Sequence, residues 1–133
     1  MPKMPKNWLL IVFLVWLIGF ILLVFIMDCK AENYTDEEIC QAIFYAEGGY
    51  KATYLFGIRS VPYTNYKEAK KICMNTIRNN RKRYKEYGYK QYKTYLEFLS
   101  SKYCPVGCEN DNGTNKYWLD NVKYFLNKGR KAL

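Results

Sequence analysis

Residues 35–49, TDEEICQAIFYAEGG, decide how the folded part of the chain begins. Thr35 and Glu38 have the spacing of a capping box, in which the threonine oxygen accepts from the backbone N–H three residues on and the glutamate reaches back. Asp36, Glu37 and Glu38 place negative charge at the positive end of the helix dipole. Ile39, Cys40, Ala42, Ile43, Phe44 and Ala46 then form a broad apolar face, and Gly48-Gly49 ends the helix at about Glu47. The stretch predicts an amphipathic helix with one side in a core.

Similar patterns follow downstream. Asn65 and Glu68 open a helix that runs to about Tyr87, with Ala69, Ile72, Cys73, Thr76, Ile77 and Tyr84 as its inner stripe and Gly88 as its stop. A third helix is expected over about 91–102, with Tyr92, Tyr95, Leu96 and Leu99 inward. A fourth covers about 115–128, where Trp118, Leu119, Val122, Phe125 and Leu126 share a face and Gly129 ends it. Residues 50–63 lack helical spacing and read as a loop with room for a short strand; CPVGCENDNGT, 104–114, is turn-rich. The fold class is mainly α.

Upstream, residues 8–27 are 20 residues without a charge, enough to cross a bilayer as a helix. Lys3 and Lys6 precede them, whereas Asp28, Glu32, Asp36, Glu37, Glu38 and Glu47 against Lys30 follow. Counting nearby lysine and arginine, the N-terminus stays cytoplasmic and the rest is exported. The organisation expected is a membrane-directed segment with a short stalk, 1–31, and one exported domain, 32–133. The long apolar run favours a retained single-pass anchor over a signal peptide. The alternative is secretion after cleavage near Ala31. About a hundred residues suit one small domain that buries roughly two-thirds of its unfolded surface.

The 133 residues contain no histidine, which removes Ser-His-Asp and Cys-His catalysis and any histidine-bearing zinc site. No phosphate-binding glycine loop occurs, and no cofactor or metal is expected. The net charge of +9 favours polyanionic partners without choosing among them. Residues 78–93, RNNRKRYKEYGYKQYK, interleave bases with tyrosines, and Arg78, Lys82 and Lys85 share a helical face. A solvated face explains this best; contact with anionic wall polymer or lipid comes second, and nucleic acid, which suits a cytosolic domain, is not expected. Cys40, Cys73, Cys104 and Cys108 lie in the exported part and read as two disulfides with three possible connectivities, a local Cys104–Cys108 bridge among them.

Glu47 is the unusual residue. It falls about 20° from Cys40, 40° from Ile43 and 60° from Phe44 around the helix, on the apolar face and in the last turn. Burial and the negative end of a helix dipole both favour a protonated carboxyl group, the form a general acid for glycosidic cleavage needs. The adjacent glycines leave room for a sugar chain to approach. Spacing alone fits better a helix-end glutamate that reaches solvent. Trp118 reads as a core residue first and a cleft residue second.

The ordered segments ICQAIFYAEGG (39–49), FGIRS (56–60), AKKICMNTIRNN (69–80), YLEFLSSKYCP (95–105) and NKYWLDNVKYFL (115–126) together resemble short lysozyme-like proteins related to lytic transglycosylases and goose-type lysozymes. The resemblance spans about residues 38–127. It implies a small lysozyme-like helical domain behind the N-terminal segment, acting on peptidoglycan, with Glu47 protonating the oxygen between N-acetylmuramic acid and N-acetylglucosamine. In the transglycosylases the same residue then acts as base while the muramoyl 6-hydroxyl closes a 1,6-anhydro ring. Glu68, Asp111 and Asp120 read as a cap, a turn residue and an exposed helix residue, so no second acid is well placed; this favours transglycosylase over hydrolase, since ordinary glycosidases use two carboxylates.

Gly57-Ile58-Arg59-Ser60 is similar to the family's Gly-Leu-Met-Gln segment, with Ser60 in place of the glutamine. The Ala-Tyr-Asn motif is missing, and Tyr103 and Asn121 are the residues expected to cover part of its role. Gly57, Ile58, Ser60, Tyr103 and Asn121 are therefore the expected substrate contacts. The resemblance also implies a Cys73–Cys104 pair, leaving Cys40 with Cys108. The alternative function is an inactive wall-binding or secretion-assisting module on the same fold.

Overall fold

The structure, a computed structural model, describes residues 6–29 and 34–132, with side chains described over 6–22 and 34–132. It divides into two units, Met1–Asn33 and Tyr34–Leu133, each described by itself. The cleavage position near Ala31, the stalk from Lys30 and the charge of Lys3 lie outside the described residues.

The first unit holds one helix, α1 (Trp8–Cys29). Its described side chains are exposed all round, Leu9 and Val15 as well as Phe13 and Trp16. Among the described residues no helix is long and apolar enough to cross a membrane.

The second unit is built from α2 (Asp36–Ala46), α3 (Tyr66–Glu86), α4 (Tyr95–Tyr103) and α5 (Trp118–Lys131), joined by short 3-10 turns and loops. No strand occurs among the described residues; the segment read as a loop with room for one carries two 3-10 turns instead, Gly49–Lys51 and Leu55–Gly57. Helix α2 is central, packed on both α5 and α3, and α4 packs on α3 and α5. Ile39, Ile43 and Phe44 meet Ile77, Leu99 and Val122 in one cluster. Each such buried side chain contributes about 1.5–3 kcal/mol.

Local chemistry sets the helix starts. Thr35 Oγ1 accepts from Glu38 N–H at 3.1 Å, and Thr35 N–H donates to Glu38 Oε2 at 2.7 Å, completing the expected capping box. Asn65 caps α3 by accepting from Glu68 N–H at 3.0 Å. A second capping box, Thr94 with Glu97, starts α4 at Tyr95, later than the expected 91, because residues 88–90 form a 3-10 turn first. This register turns Phe98 into the core, a residue missing from the expected inner stripe. Gly129 does not end α5, which continues to Lys131.

The acidic first turn of α2 also holds α3 and α5. Arg81 Nε lies 2.7 Å from Asp36 Oδ1, Arg78 lies 3.9 Å from Asp36, Lys70 pairs with Glu37, and Arg130 with Glu38 at 3.4 Å. Part of the basic stretch of α3 is thus spent inside the domain, while Lys82 and Lys85 are exposed.

The Glu38 carboxyl is held below its ordinary value of 4.5, first by the Thr35 backbone N–H and then by the Thr35 hydroxyl and Arg130. A depressed folded value contributes stability that is present above pH 4.5 and lost as pH falls through the folded value. The urea midpoint of the wild type is therefore expected to exceed that of Glu38→Gln at pH 7, and the gap to narrow as pH falls below 4.5; a gap independent of pH would dismiss the charge.

The four cysteines of this unit are free thiols in the structure. Cys40 and Cys73 are fully buried, and the neighbouring Cys40 together with burial pushes the Cys73 thiol up. The neighbour of Cys73 is Cys40, from the facing helix, and this differs from the Cys73–Cys104 pair that the resemblance implies. Cys104 lies within electrostatic reach of Cys108, and burial pushes its thiol up to about 11.

Candidate active site

Two hollows open on the second unit. The larger, of ≈ 580 Å³, runs between α2 and α5 past Ala42, Tyr45, Phe125 and Leu126, with its charged groups at the ends of those helices. The smaller, of ≈ 480 Å³, lies where the end of α2, the 57–60 loop, the end of α4, the 104–115 loop and the start of α5 converge. It combines an apolar floor with convergent polar groups, the usual character of a ligand site.

Glu47 stands in this second cleft. Its backbone N–H closes the last turn of α2 on Ile43 O at 2.9 Å, so the side chain leaves the helix where the chain turns away. Gly48, with φ +102, makes that turn possible. The half-buried carboxylate is then fixed from two sides. Trp118 Nε1–H donates to Glu47 Oε1 at 2.8 Å, and the backbone of Gly57 lies so close that a Cβ there would come within 2.7 Å of Glu47 Cδ. Among the described residues, no hydrogen bond ends on Oε2, which leaves that oxygen for a ligand.

The approach of Gly57 depends on an unusual backbone. Phe56 has φ +56 and Gly57 φ +69, both left-handed. A bulky residue in that region stores roughly 1–3 kcal/mol and persists only where its surroundings over-determine it. Phe56 is 1% exposed, its ring lies 5.1 Å from Phe44 and 5.6 Å from Tyr66, and its carbonyl accepts the Tyr103 hydroxyl at 2.5 Å. Tyr63 hydroxyl, 2.7 Å from Leu55 N–H, ties the other limb of the loop. The strained turn is therefore clamped, and it carries the 57–60 backbone to the carboxylate.

Of the residues expected from sequence, Glu47, Gly57, Ser60, Tyr103 and Asn121 all line this cleft. Ile58 does not; it is half-buried and packs on the core. Tyr103 lines the cleft through its ring, stacked on Trp118 at 5.2 Å, while its hydroxyl is committed to Phe56. Burial holds that hydroxyl well above its ordinary value, so it is a protonated donor. The glycines next to Glu47 are not the ones that open the backbone: Gly49 is buried and neither it nor Gly48 lines the cleft, whereas Gly57 does. Trp118 is at once core, at 5% exposed, and cleft.

Sequence reading missed the far wall. Asn110, Asn112 and Thr114 of the turn-rich loop, and Asn115 and Tyr117 of the 3-10 turn after it, line the cleft together with Glu47. Asp111 organises that loop by accepting from Gly107, Gly113 and Asn115 N–H at 2.7, 2.8 and 3.2 Å, which, led by the Gly107 bond, holds its carboxyl low. An aspartate followed by glycine and asparagine was a signal for such a turn, but not for what the turn faces. Glu68 reaches back from the first turn of α3 to accept from Thr64 N–H at 2.7 Å, and Asp120 is exposed on α5 outside the lining. Among the described residues that line the cleft, Glu47 is the one carboxylate and Arg59 the one cation. The described residues include no group of three or more His, Cys, Asp or Glu able to hold a metal ion.

Comparison of the chain with family models, with curated proteins and with solved structures returns no match.

Proposed function

We propose that the second unit cleaves peptidoglycan glycan strands as a lysozyme-like domain of the lytic transglycosylase type, with Glu47 as acid and then base. The observation that carries this reading is a single carboxylate in a polar cleft, oriented through one oxygen by Trp118 and bare at the other. Oε2 would give its proton to the glycosidic oxygen and take one back from the muramoyl 6-hydroxyl as the anhydro ring closes. With one acid in the cleft, this route fits better than hydrolysis through a carboxylate pair. The amide-rich wall opposite suits sugar hydroxyls and N-acetyl groups, and Tyr117, half-exposed, offers a ring face for a sugar.

Mass spectrometry of purified peptidoglycan incubated with the full chain in detergent micelles tests this. Anhydro-muropeptides are the expected products. Reducing-end products would make the domain a hydrolase. Binding without products would favour the alternative, an inactive wall-binding or secretion-assisting module, which the serine at position 60 also suits. The orientation of Glu47 can be probed separately. Trp118→Phe keeps the ring over Tyr103 but removes Nε1–H; a hydrogen bond to a charged group is worth about 1.5–3 kcal/mol, so kcat is expected to fall roughly ten- to hundredfold with KM little changed. An unchanged kcat would mean that the indole does not position the acid.

The location proposed is the cytoplasmic membrane, single-pass through residues 8–27 with the domain outside, or secretion after cleavage near Ala31. The charge asymmetry across residues 8–27 of the sequence supports it. In such an oxidising compartment the Cys40 and Cys73 thiols can close a disulfide, passing two electrons to an extracytoplasmic disulfide oxidoreductase and releasing two protons. Non-reducing peptide mapping of the exported chain is expected to recover the Cys40 and Cys73 peptides joined. A Cys73–Cys104 peptide would restore the pairing implied by the resemblance.

A further inference from the structure

We infer that Arg59 makes this cleft selective for glycans that carry a carboxylate, by pairing with that group while the scissile bond lies at Glu47. The inference rests on the reading of the cleft as a glycan site and names the substrate group it selects. Arg59 is the cation among the described lining residues, and no ion pair or hydrogen bond to an acid engages it among the described residues. Elsewhere the domain does use its bases: Lys70, Arg78, Arg81 and Arg130 all meet acids.

The Arg59 side chain is exposed, but the backbone that carries it is fixed. Arg59 sits two residues beyond Gly57, on the loop that Tyr63 and the buried Phe56 clamp. Its guanidinium lies 5.4 Å from the centre of the Tyr54 ring, a stacking arrangement that arginine favours. Its charge is felt at Cys104, on the other side of the cleft mouth. Across from it the wall is neutral amide and hydroxyl, and the nearby Asp111 turns its oxygens into its own loop. A planar guanidinium held on a fixed loop, beside a neutral wall, is suited to a carboxylate. Glycan strands of the wall supply that chemistry from two sources, the lactyl carboxylate of a bare muramoyl residue and the carboxylates of an attached peptide.

Three soluble tetrasaccharide probes separate these: alternating GlcNAc-MurNAc with free lactyl groups, the same strand with its stem peptides, and neutral chitotetraose. Calorimetric binding is measured with the full chain carrying Glu47→Gln, alone and combined with Arg59→Met, so that cleavage does not enter. Arg59→Met is expected to weaken binding about three- to tenfold for a carboxylate-bearing probe, less at high salt, and to leave chitotetraose unchanged. The probe that shows the loss names the source. Equal loss on all three probes, no loss on any, or no binding of any probe overturns the inference. Discrimination in binding by a chain whose wild type cuts nothing would retain the inference and sink the cleavage reading. Cleavage with KM indifferent to Arg59→Met on all substrates would do the reverse.

Discussion

Replacing Glu47 with glutamine is expected to lower the rate of glycan cleavage by about 10²–10⁴-fold, the usual contribution of a positioned general acid. The amide keeps the size of the side chain, and its oxygen can still accept Trp118 Nε1–H, which the structure places 2.8 Å from the carboxylate. What disappears is a group able to give and take a proton. Glycan binding and the circular dichroism spectrum are expected to stay as in the wild type, because the end of α2 is held by backbone bonds such as Glu47 N–H to Ile43 O. A variant that cuts at the wild-type rate would remove Glu47 from the chemistry.

Gly57→Ala is expected to cost nearly as much activity without touching the acid itself. A methyl group there would come within 2.7–2.9 Å of all three carboxyl atoms of Glu47, so the carboxylate must move. The backbone, at φ +69, adds roughly 1–2 kcal/mol of strain for an L side chain. Misplacing a reacting group by about 1 Å costs on the order of a hundredfold. Gly107 supplies the control: it too has a positive φ, +77, but an added Cβ meets nothing within 4 Å. Gly107→Ala is thus expected to lower the melting temperature by a few degrees while sparing cleavage, and Gly57→Ala to lower both. If the two variants cut glycan equally well, the close approach at Gly57 does not position the acid.

The two glycines show where sequence reading reached and where it stopped. That Gly57 belonged to the cleft was legible from its FGIRS setting. The reason was not: the left-handed Phe56 beside it breaks every local preference of a bulky residue, and it holds only because Phe44, Tyr66 and Tyr103, all distant in sequence, close over it. Gly48-Gly49 was read as the opening beside the acid because the glycines adjoin Glu47, yet the tertiary fold turns them away. The same limit explains Phe98 and the start of α4. Tyr95, Leu96 and Leu99 are buried as the helical spacing expects, but Phe98 joins them in the core, and the Thr94–Glu97 box starts α4 at Tyr95 rather than at 91.

The basic, tyrosine-rich stretch is a parallel case. As a string it reads first as a solvated helix face and second as a surface for anionic polymer or lipid. In the fold, Arg78 and Arg81 turn onto Asp36, because α2 and α3 pack with the acidic start of one beside the basic middle of the other. Charge in a sequence has no direction until packing supplies one.

By itself, then, the sequence determined the local and periodic features. It set the capped start and apolar face of α2, the start of α3, the mainly α class and the position of Glu47 at a helix end, since each depends on residues within one or two helical turns. It also excluded histidine chemistry outright. Only the tertiary structure decided that Trp118, 71 positions away, gives its N–H to Glu47, that Cys40 faces Cys73, that Ile58 turns into the core, and that an amide-rich loop and Arg59 complete the cleft. These are contacts between elements, set by how four helices share one small core, and no pattern along a single helix encodes them.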